Sequence, residues 1–203
     1  MTSSATISVV IPCFNSATTI ERALRSVEHQ TIKPHEVLVV DDASSDNTVS
    51  IIEQYARASL LNIRVIKQSV NGGPSVARNA AWNIATSEFI AFLDADDQWH
   101  PQKLELQLNA MLANPSCAMS FHDHLFGSSE QFESLPFAPI TSLTTLRNYL
   151  VRNRSATPTV MLRAAVTERF TSTKRYAEDY LLWMTIIASH GSALHIHATL
   201  AHC

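Results

Sequence analysis

Cysteine, long apolar runs and basic clusters are all scarce in this 203-residue chain. No stretch reaches the ~18 consecutive apolar residues that a membrane-spanning helix needs. The start, Met1-Thr2-Ser3-Ser4, lacks the basic region of a secretory signal. The three cysteines, Cys13, Cys117 and Cys203, are odd in number and share no metal-ligand spacing, which indicates reduced thiols. We therefore expect a cytoplasmic protein.

Positive charge is also limited, with 15 Lys and Arg residues against 18 Asp and Glu residues and a net charge of -3. This balance gives no electrostatic basis for binding nucleic acid, so an anionic ligand would need local positive charge or a bound cation. The 46% hydrophobic and 16% charged content is that of an ordinary globular protein. The length suits one substantial core.

The first half alternates apolar runs with amphipathic segments in three units of ~30 residues, a pattern that predicts parallel strands with helical crossovers. Ligands of such sheets bind beyond the carboxyl ends of the strands. The predicted strands cover residues 7–11, 36–40, 63–66 and 88–93. Asn15 or Ser16 is expected to cap the first helix, and Ser44, Ser45 or Asp46 the second. The third helix is expected to begin at Pro74 and to turn Ala77, Ala80, Ala81 and Ile84 inward.

The second half is less regular. A helix from Pro101 to about Asn114 should turn Leu104, Leu108, Met111 and Leu112 inward. Residues 123–140 hold Gly127 and two prolines and suggest a long functional loop. The remaining expected elements are strands near 117–121, 158–162 and 192–200 and helices near 142–152 and 178–189.

Three polar clusters directly follow predicted strands and should meet at one edge of the sheet. They are Pro12-Cys13-Phe14-Asn15, Asp41-Asp42 and Asp94-Ala95-Asp96-Asp97. Crowded carboxylates raise each other's pKa, and oxygen-only ligands suit Mg²⁺ or Mn²⁺, so the third cluster predicts a divalent-metal and diphosphate site. A calcium loop does not fit Gln98-Trp99-His100, whereas an acidic helix cap before Pro101 stays open.

Five segments, in this order, resemble those of a family-2 glycosyltransferase with the GT-A fold. The segments are Val9–Asn15, Val39–Asp46, Asn71–Asn79, Phe92–Asp97, which contains an aspartate-x-aspartate (DXD) pattern, and Tyr176–Trp183. The resemblance implies an α/β Rossmann-like three-layer sandwich with a mostly parallel central sheet. It further implies a single domain over 1–203, with a nucleotide-binding half (1–100) and an acceptor-side half (101–203). Members usually continue beyond this point, so we expect a minimal member or a C-terminally truncated chain.

The implied activity is an inverting, metal-dependent transfer of a sugar from a nucleotide diphosphate sugar, with a UDP-sugar expected, to a hydroxyl of a glycan or lipid-linked acceptor. A role in cell-envelope polysaccharide synthesis and peripheral association with the inner face of the membrane follow from the same likeness. The cofactor would be Mn²⁺ or Mg²⁺. Two alternatives stay open: a sugar nucleotidyltransferase, whose Gly-rich basic first loop is missing from Ile11–Asn15, and a nucleotide-sugar-binding module without activity.

The resemblance also implies roles for the donor-side residues. Asp96 and Asp97 would hold the metal and the ribose, with Asp94 as the first carboxylate, and their exact division stays open. Asp42 would accept a hydrogen bond from the uracil ring, while Asp41 orders the turn. Pro12 and Phe14 would also bind the donor, near its nucleoside. Arg78 would orient the aspartates or approach the donor, with a structural ion pair as the alternative.

The pair Glu178-Asp179 opens the predicted sixth helix. By resemblance, Asp179 is the catalytic base that an inverting transfer requires, and Glu178 assists it. The alternative is that both acids only complement the positive end of the helix dipole.

Histidines alternate in His122-Asp123-His124 and again in His195-Ile196-His197. Such pairs share one face of a strand. A metal pair is one interpretation of them, and a surface or satisfied core role is the expected one. Trp99 similarly could stack on a ligand but is expected to close the core.

Overall fold

The computed structural model describes residues 5–127, 140–151, 155–171 and 177–203. Most of the predicted loop at 123–140 and Tyr176 of the fifth motif lie outside these ranges. In the described part, nine strands form one sheet in the order β3-β2-β1-β4-β8-β6-β9-β5, with β7 paired to β9. The strands are β1 (Ile7–Cys13), β2 (Glu36–Asp41), β3 (Ile63–Lys67), β4 (Phe89–Phe92), β5 (Gln98–Trp99), β6 (Met119–Leu125), β7 (Thr141–Thr145), β8 (Met161–Arg163) and β9 (Ser192–His202).

Helices cover both faces of the sheet. They are α1 (Ile20–Glu28), α2 (Thr48–Ala58), α3 (Pro74–Ile84), α4 (Lys103–Ala113), α5 (Leu146–Val151) and α6 (Glu178–His190), with a 3₁₀ turn at Thr157–Thr159. Apolar residues of α1, α2 and α4 pack on one face of the central strands, and those of α3, α5 and α6 pack on the other. The three-layer α/β architecture predicted from the sequence is confirmed.

The four strands of the first half run parallel, as predicted. Strand β1 lies between β2 and β4, and β2 pairs in turn with β3. Every residue of β1, β2 and β4 is buried, because helices lie on both faces. Burial on both faces explains why these strands read as continuous apolar runs and why their carboxyl ends, with the polar clusters, meet at one edge.

The second half mixes directions. Strand β8 runs antiparallel to β4 and β6 and joins the two halves of the sheet. Strand β9 runs parallel to β6, while β5 and β7 pair with it antiparallel. Because β5 follows the Asp94–Asp97 segment, its pairing places the end of β9 next to that segment.

Two local predictions at the first strand and helix were wrong. Strand β1 continues through Pro12, which pairs with Val40 of β2. Pairing with β4 ends at Val10, so the missing N–H of the proline is tolerated on that side. Helix α1 begins after Thr19 and has no side-chain cap, so neither Asn15 nor Ser16 caps it. The Asn15 side chain instead accepts a hydrogen bond from the backbone N–H of Ser45.

The predicted inward faces of two helices were partly wrong. Ile84 is 39% exposed and Leu112 is 51% exposed. In both helices a polar side chain occupies the buried face: Arg78 in α3, and Lys103 with Gln107 in α4. The prediction assumed that polar residues face solvent. It therefore placed the buried face of each helix slightly too far around the helix axis.

Boundaries in the second half also shifted. The predicted helix at 142–152 is the strand β7 followed by the short helix α5, and threonines favour the strand. The predicted strand at 158–162 begins as a 3₁₀ turn, and the two-residue β5 was not predicted. Helix α6 and strand β9 agree with expectation to within two residues. Among the helices that the structure describes, none combines the length and apolar character needed to cross a bilayer.

Candidate active site

A cavity of about 590 Å³ opens at the carboxyl ends of β1, β2 and β4. Its walls come from the loops after these strands and from the first turns of α3. Six of the residues expected to bind the donor line it: Pro12, Phe14, Asp42, Arg78, Asp94 and Asp96. The three clusters that the sequence assigned to one edge of the sheet are therefore brought together.

The first loop forms one wall of the cavity. Phe14 presents a ring that is 49% exposed, and Asn15 has a positive φ of 49°. The backbone N–H of Asn15 donates to Ser44 Oγ at 2.9 Å, and its side chain accepts from the N–H of Ser45 at 2.9 Å. These bonds tie the loop after β1 to the loop after β2, which fixes the wall.

Asp42 is held by the backbone of the third loop. Its Oδ1 accepts the N–H of Gly72 at 2.8 Å, and its Oδ2 accepts the N–H of Gly73 at 2.7 Å. Gly73 has a φ of +84°, and a Cβ on Gly72 would lie 2.9 Å from Val76 Cγ1. Both glycines are therefore required for this contact. Asp41 accepts the N–H of Ser44 at 3.2 Å, in accord with its predicted role in the turn.

Arg78 is the buried cation of the site. Its Nη2 lies 2.6 Å from Asp94 Oδ1, and its Nη1 lies 3.7 Å from Glu178 Oε1. The guanidinium also lies 5.2 Å from the centre of the Phe170 ring. Burial alone would lower the pKa of Arg78, but the charge and hydrogen bond of Asp94 outweigh it and raise that pKa. Arg78 therefore forms the ion pair and orients Asp94, while its approach to the donor stays a prediction.

The aspartates of the segment after β4 lie in two environments, the cavity and the protein interior. Asp94 and Asp96 line the cavity, and the Arg22 guanidinium donates to the backbone carbonyl of Asp96. Asp97 is 6% exposed, and a hydrogen bond from the Cys203 thiol reaches its carboxylate. Burial, followed by the charges of Asp94 and Asp96, raises the pKa of Asp97 to about 7.

These carboxylates fit a hard divalent cation. They supply only oxygen ligands, and Asp97 feels the repulsion of two neighbouring carboxylates. Mg²⁺ and Mn²⁺ prefer such oxygen sets. Asp94 and Asp96 are the residues that could hold the ion at the cavity surface. The metal role of Asp97 stays a prediction, with the carboxylate placed beside Cys203.

The two acids of α6 lie on the far side of Arg78 from Asp94. Ala177, directly before the helix, has a left-handed φ of 57°. Asp179 Oδ1 accepts a hydrogen bond from the backbone N–H of Tyr180 at 2.7 Å, and Asp179 Oδ2 accepts one from the Thr157 hydroxyl at 3.3 Å. Asp179 is not a wall of the cavity, but its charge acts on Arg78 and raises the pKa of the guanidinium.

Backbone strain gathers around these residues. The described non-glycine residues with positive φ are Asn15, Ala43 and Ala177. Each adjoins a site segment: the first loop, Asp42 and Glu178. Strained conformations of this kind persist where the surrounding structure imposes them, often at functional sites.

Sequence reasoning missed three contacts of the site. These are the Gly72 and Gly73 clamp on Asp42, the Thr157 bond to Asp179, and the Cys203 thiol beside Asp97. A Gly-Gly pair opening a helix was a usable signal for the first. The other two join segments 22 and 106 residues apart in the chain, beyond any local pattern.

The family model of glycosyl transferase family 2 matches residues 8–170. The Escherichia coli protein WfgD, named UDP-Glc:alpha-D-GlcNAc-diphosphoundecaprenol beta-1,3-glucosyltransferase, is 31% identical over 182 residues, which cover 89% of this chain and 69% of WfgD. Bacillus subtilis TuaG, by name a teichuronic acid biosynthesis glycosyltransferase, is 41% identical over 115 residues, which cover 57% of this chain and 45% of TuaG.

Among solved structures, S. aureus TarS 1-349 in complex with UDP superposes with a TM-score of 0.81 and 26% identity, covering 98% of this chain and 60% of TarS 1-349. The chain therefore spans less than two thirds of that structure and less than half of TuaG. The family match over residues 8–170 and the shared fold agree with the α/β architecture of the described residues. This chain belongs to glycosyltransferase family 2.

Proposed function

We propose that this chain is the donor-binding and catalytic part of an inverting, metal-dependent glycosyltransferase that uses a UDP-sugar. The observation that carries the proposal is the buried Arg78 guanidinium, which links Asp94 at the cavity to Glu178 at the start of α6. One residue thus couples the carboxylates suited to a diphosphate-bound cation with the acids suited to activate an acceptor.

The donor would lie in the cavity along the loops after β1, β2 and β4. The ring of Phe14 offers an apolar surface for a nucleobase, and Asp42, in the wall of the same cavity, is fixed by two backbone N–H groups. Each carboxylate oxygen keeps a second lone pair, so Asp42 can also accept a base N–H. TarS has been crystallised with UDP and with UDP-GlcNAc, and the name of WfgD specifies UDP-Glc, which supports a uridine donor.

Charge compensation for the diphosphate must come from few groups, because the chain is net negative. A Mg²⁺ or Mn²⁺ ion held by Asp94 and Asp96 would stabilise the charge that develops on the leaving diphosphate. Arg78 would orient Asp94 through the 2.6 Å contact. Arg22 fixes the backbone at Asp96, so both ligands start from a defined position.

Asp179 would accept the proton of the acceptor hydroxyl. Its carboxylate is oriented by the hydroxyl of Thr157 and by the backbone N–H of Tyr180 in the first turn of α6. A base separate from the leaving diphosphate is what an inverting displacement requires. The names of WfgD and TuaG point to lipid-linked or cell-envelope glycan acceptors, and we propose the same class here.

Product analysis tests the proposal. The chain is incubated with Mn²⁺, a UDP-sugar and a lipid-diphosphate GlcNAc acceptor, and the nucleotide product is identified. Free UDP with a new β-linked sugar is expected. In a parallel incubation with a sugar phosphate and UTP, release of pyrophosphate would indicate a nucleotidyltransferase. Binding of the UDP-sugar without transfer to any acceptor would indicate a binding module.

A further inference from the structure

Three metal-binding side chains meet on the acceptor-side half of the sheet, away from the aspartates of the cavity. They are Asp123 of β6 and His195 and His197 of β9, and one ligand atom from each lies within 4.8 Å of the others. None of the three lines the donor cavity. We propose that they form a binding site for a divalent transition metal, with Zn²⁺ as the best match.

The strand geometry explains how the three side chains meet. His195 and His197 are two residues apart on β9 and share a face of the strand. Strand β6 runs parallel to β9, and its register shifts on both sides of Asp123. Such bulges re-aim a side chain, and here Asp123 Oδ1 lies 2.9 Å from His195 Nε2. The alternation in His122-Asp123-His124 sends His122 to the opposite face, where it is fully buried.

The two imidazoles are held before any metal arrives. The His195 ring stacks on Phe121, with centroids 4.6 Å apart and planes within 9°. His197 packs 4.1 Å from His195, and its Nε2 lies 2.8 Å from the Ser142 hydroxyl. His195 is 2% exposed, whereas His197 is exposed to solvent. Neighbouring groups that orient the ligating imidazoles are typical of metal sites.

The ligand set selects the metal. Two imidazole nitrogens and one carboxylate suit Zn²⁺ and neighbouring transition metals, whereas Mg²⁺ prefers oxygen ligands alone. Asp123 Oδ1 and His195 Nε2, 2.9 Å apart, are already close enough to share one Zn²⁺ ion with bonds of about 2.0–2.1 Å. His197, whose ligand atom lies within 4.8 Å of the other two and whose side chain is exposed, completes the set by a small rotation of its imidazole.

A second cavity of about 380 Å³ adjoins the cluster and includes His195, His197 and Ser142 in its walls. Three protein ligands leave a fourth position of the metal for water or for a ligand oxygen from this cavity. The site would therefore join β6 to β9 and place a Lewis acid beside an acceptor-side cavity. The inference does not depend on the proposed donor chemistry.

Zinc binding to the chain in excess Mg²⁺ tests the inference. Calorimetry should show a Zn²⁺ site in the parent that weakens at least about 10-fold in Asp123→Asn and in His197→Ala, since both remove a ligand from a partly exposed position. His35→Ala, an exposed histidine before β2, is the matched control and should bind Zn²⁺ as the parent does. Circular dichroism and melting temperatures confirm that each variant is folded.

Cobalt spectroscopy provides an independent measurement. Co²⁺ bound by imidazole and carboxylate gives visible absorption bands, and these should disappear in His197→Ala but persist in Asp96→Asn. Zn²⁺ and Co²⁺ binding that is unchanged in both Asp123→Asn and His197→Ala would overturn the inference. So would loss of binding in Asp96→Asn alone, which would move the transition metal to the donor cavity.

Discussion

Arg78 Nη2 lies 2.6 Å from Asp94 Oδ1, and the Arg78 side chain, which extends from α3, is almost fully buried. The other end of the same guanidinium faces Glu178. A flexible ammonium cannot serve two carboxylates in this way, because the planar fork of arginine fixes both directions at once. The helix after the third strand thereby sets the relative position of the two acidic segments of the site.

Arg78→Lys should reduce sugar transfer about 10- to 100-fold, because one charge-assisted hydrogen bond worth about 1.5–3 kcal/mol is lost and Asp94 is no longer held. The matched control is Arg25→Lys, an exposed arginine paired with Glu21 on the same helix. Initial rates at saturating donor give the comparison. Equal rates for Arg78→Lys and the parent would show that the ion pair is not needed to orient Asp94.

UDP binding should depend on a divalent cation. The net charge of -3 and the carboxylates at the cavity oppose a diphosphate unless a cation is present. Calorimetry with Mn²⁺ should therefore show much tighter UDP binding than calorimetry with EDTA, and Asp96→Asn should weaken the Mn²⁺-dependent part. Glu53→Gln, which changes an exposed carboxylate outside the cavity, is the control. The same UDP affinity with Mn²⁺ and EDTA would remove the metal from the proposal.

The parallel half of the fold was predictable because burial on both faces leaves a simple signal. Continuous apolar runs ended by Pro12, Asp41 and Asp94 mark both the strands and the edge where ligands bind. Six of the predicted donor residues consequently line one cavity. In this half of the chain, the polar motifs and the strand topology both predict a site at the carboxyl ends of the parallel strands.

The errors came from polar residues that fold inward. Arg78, Lys103 and Gln107 occupy buried helix faces, so pattern reasoning placed Ile84 and Leu112 inside. The burial of a polar group depends on partners distant in sequence, such as the Ser120 hydroxyl and the Thr159 carbonyl for Gln107. The same limit concealed the contacts of Asp42 and Asp123, whose partners lie 30 and 72 residues away.

Glu36 should be a stabilising carboxylate far from the chemistry. It is 2% exposed and accepts hydrogen bonds from Ser8 and from the backbone and hydroxyl of Thr86. Burial alone would raise its pKa, but these hydrogen bonds outweigh burial and lower the pKa. Glu36→Gln should cost about 1.5–3 kcal/mol of unfolding free energy, measured by urea denaturation at neutral pH.

The pH dependence of that stability follows from the lowered pKa. The stabilisation is fully present above the ordinary Glu value of 4.5 and is lost as the pH falls through the lower pKa of the folded state. The difference between parent and Glu36→Gln should therefore shrink below about pH 4.5. Glu53→Gln, at an exposed pair with Lys67, should change stability little at any pH. A constant difference across the acid range would contradict an ionised Glu36.

Asp179→Asn should distinguish a catalytic base from a helix-dipole partner. If Asp179 accepts the acceptor proton, sugar transfer should fall by ~10²–10⁴, while UDP affinity and melting temperature stay near those of the parent. If it only complements the dipole of α6, the change should cost roughly 0.3–1 kcal/mol of stability and leave transfer intact. Asparagine keeps the oxygen that accepts the Thr157 hydroxyl, so the local geometry is preserved.

The control for this last prediction is Glu105→Gln, which removes an acid from the first turn of α4. Glu105 accepts the Thr31 hydroxyl at 2.7 Å, much as Asp179 accepts that of Thr157. The two variants should lose similar amounts of stability if helix dipoles are all that matters, and only Asp179→Asn should lose transfer if it is the base. Retained transfer in a destabilised Asp179→Asn protein would assign the base elsewhere, with Glu178 next to be substituted because it borders Arg78.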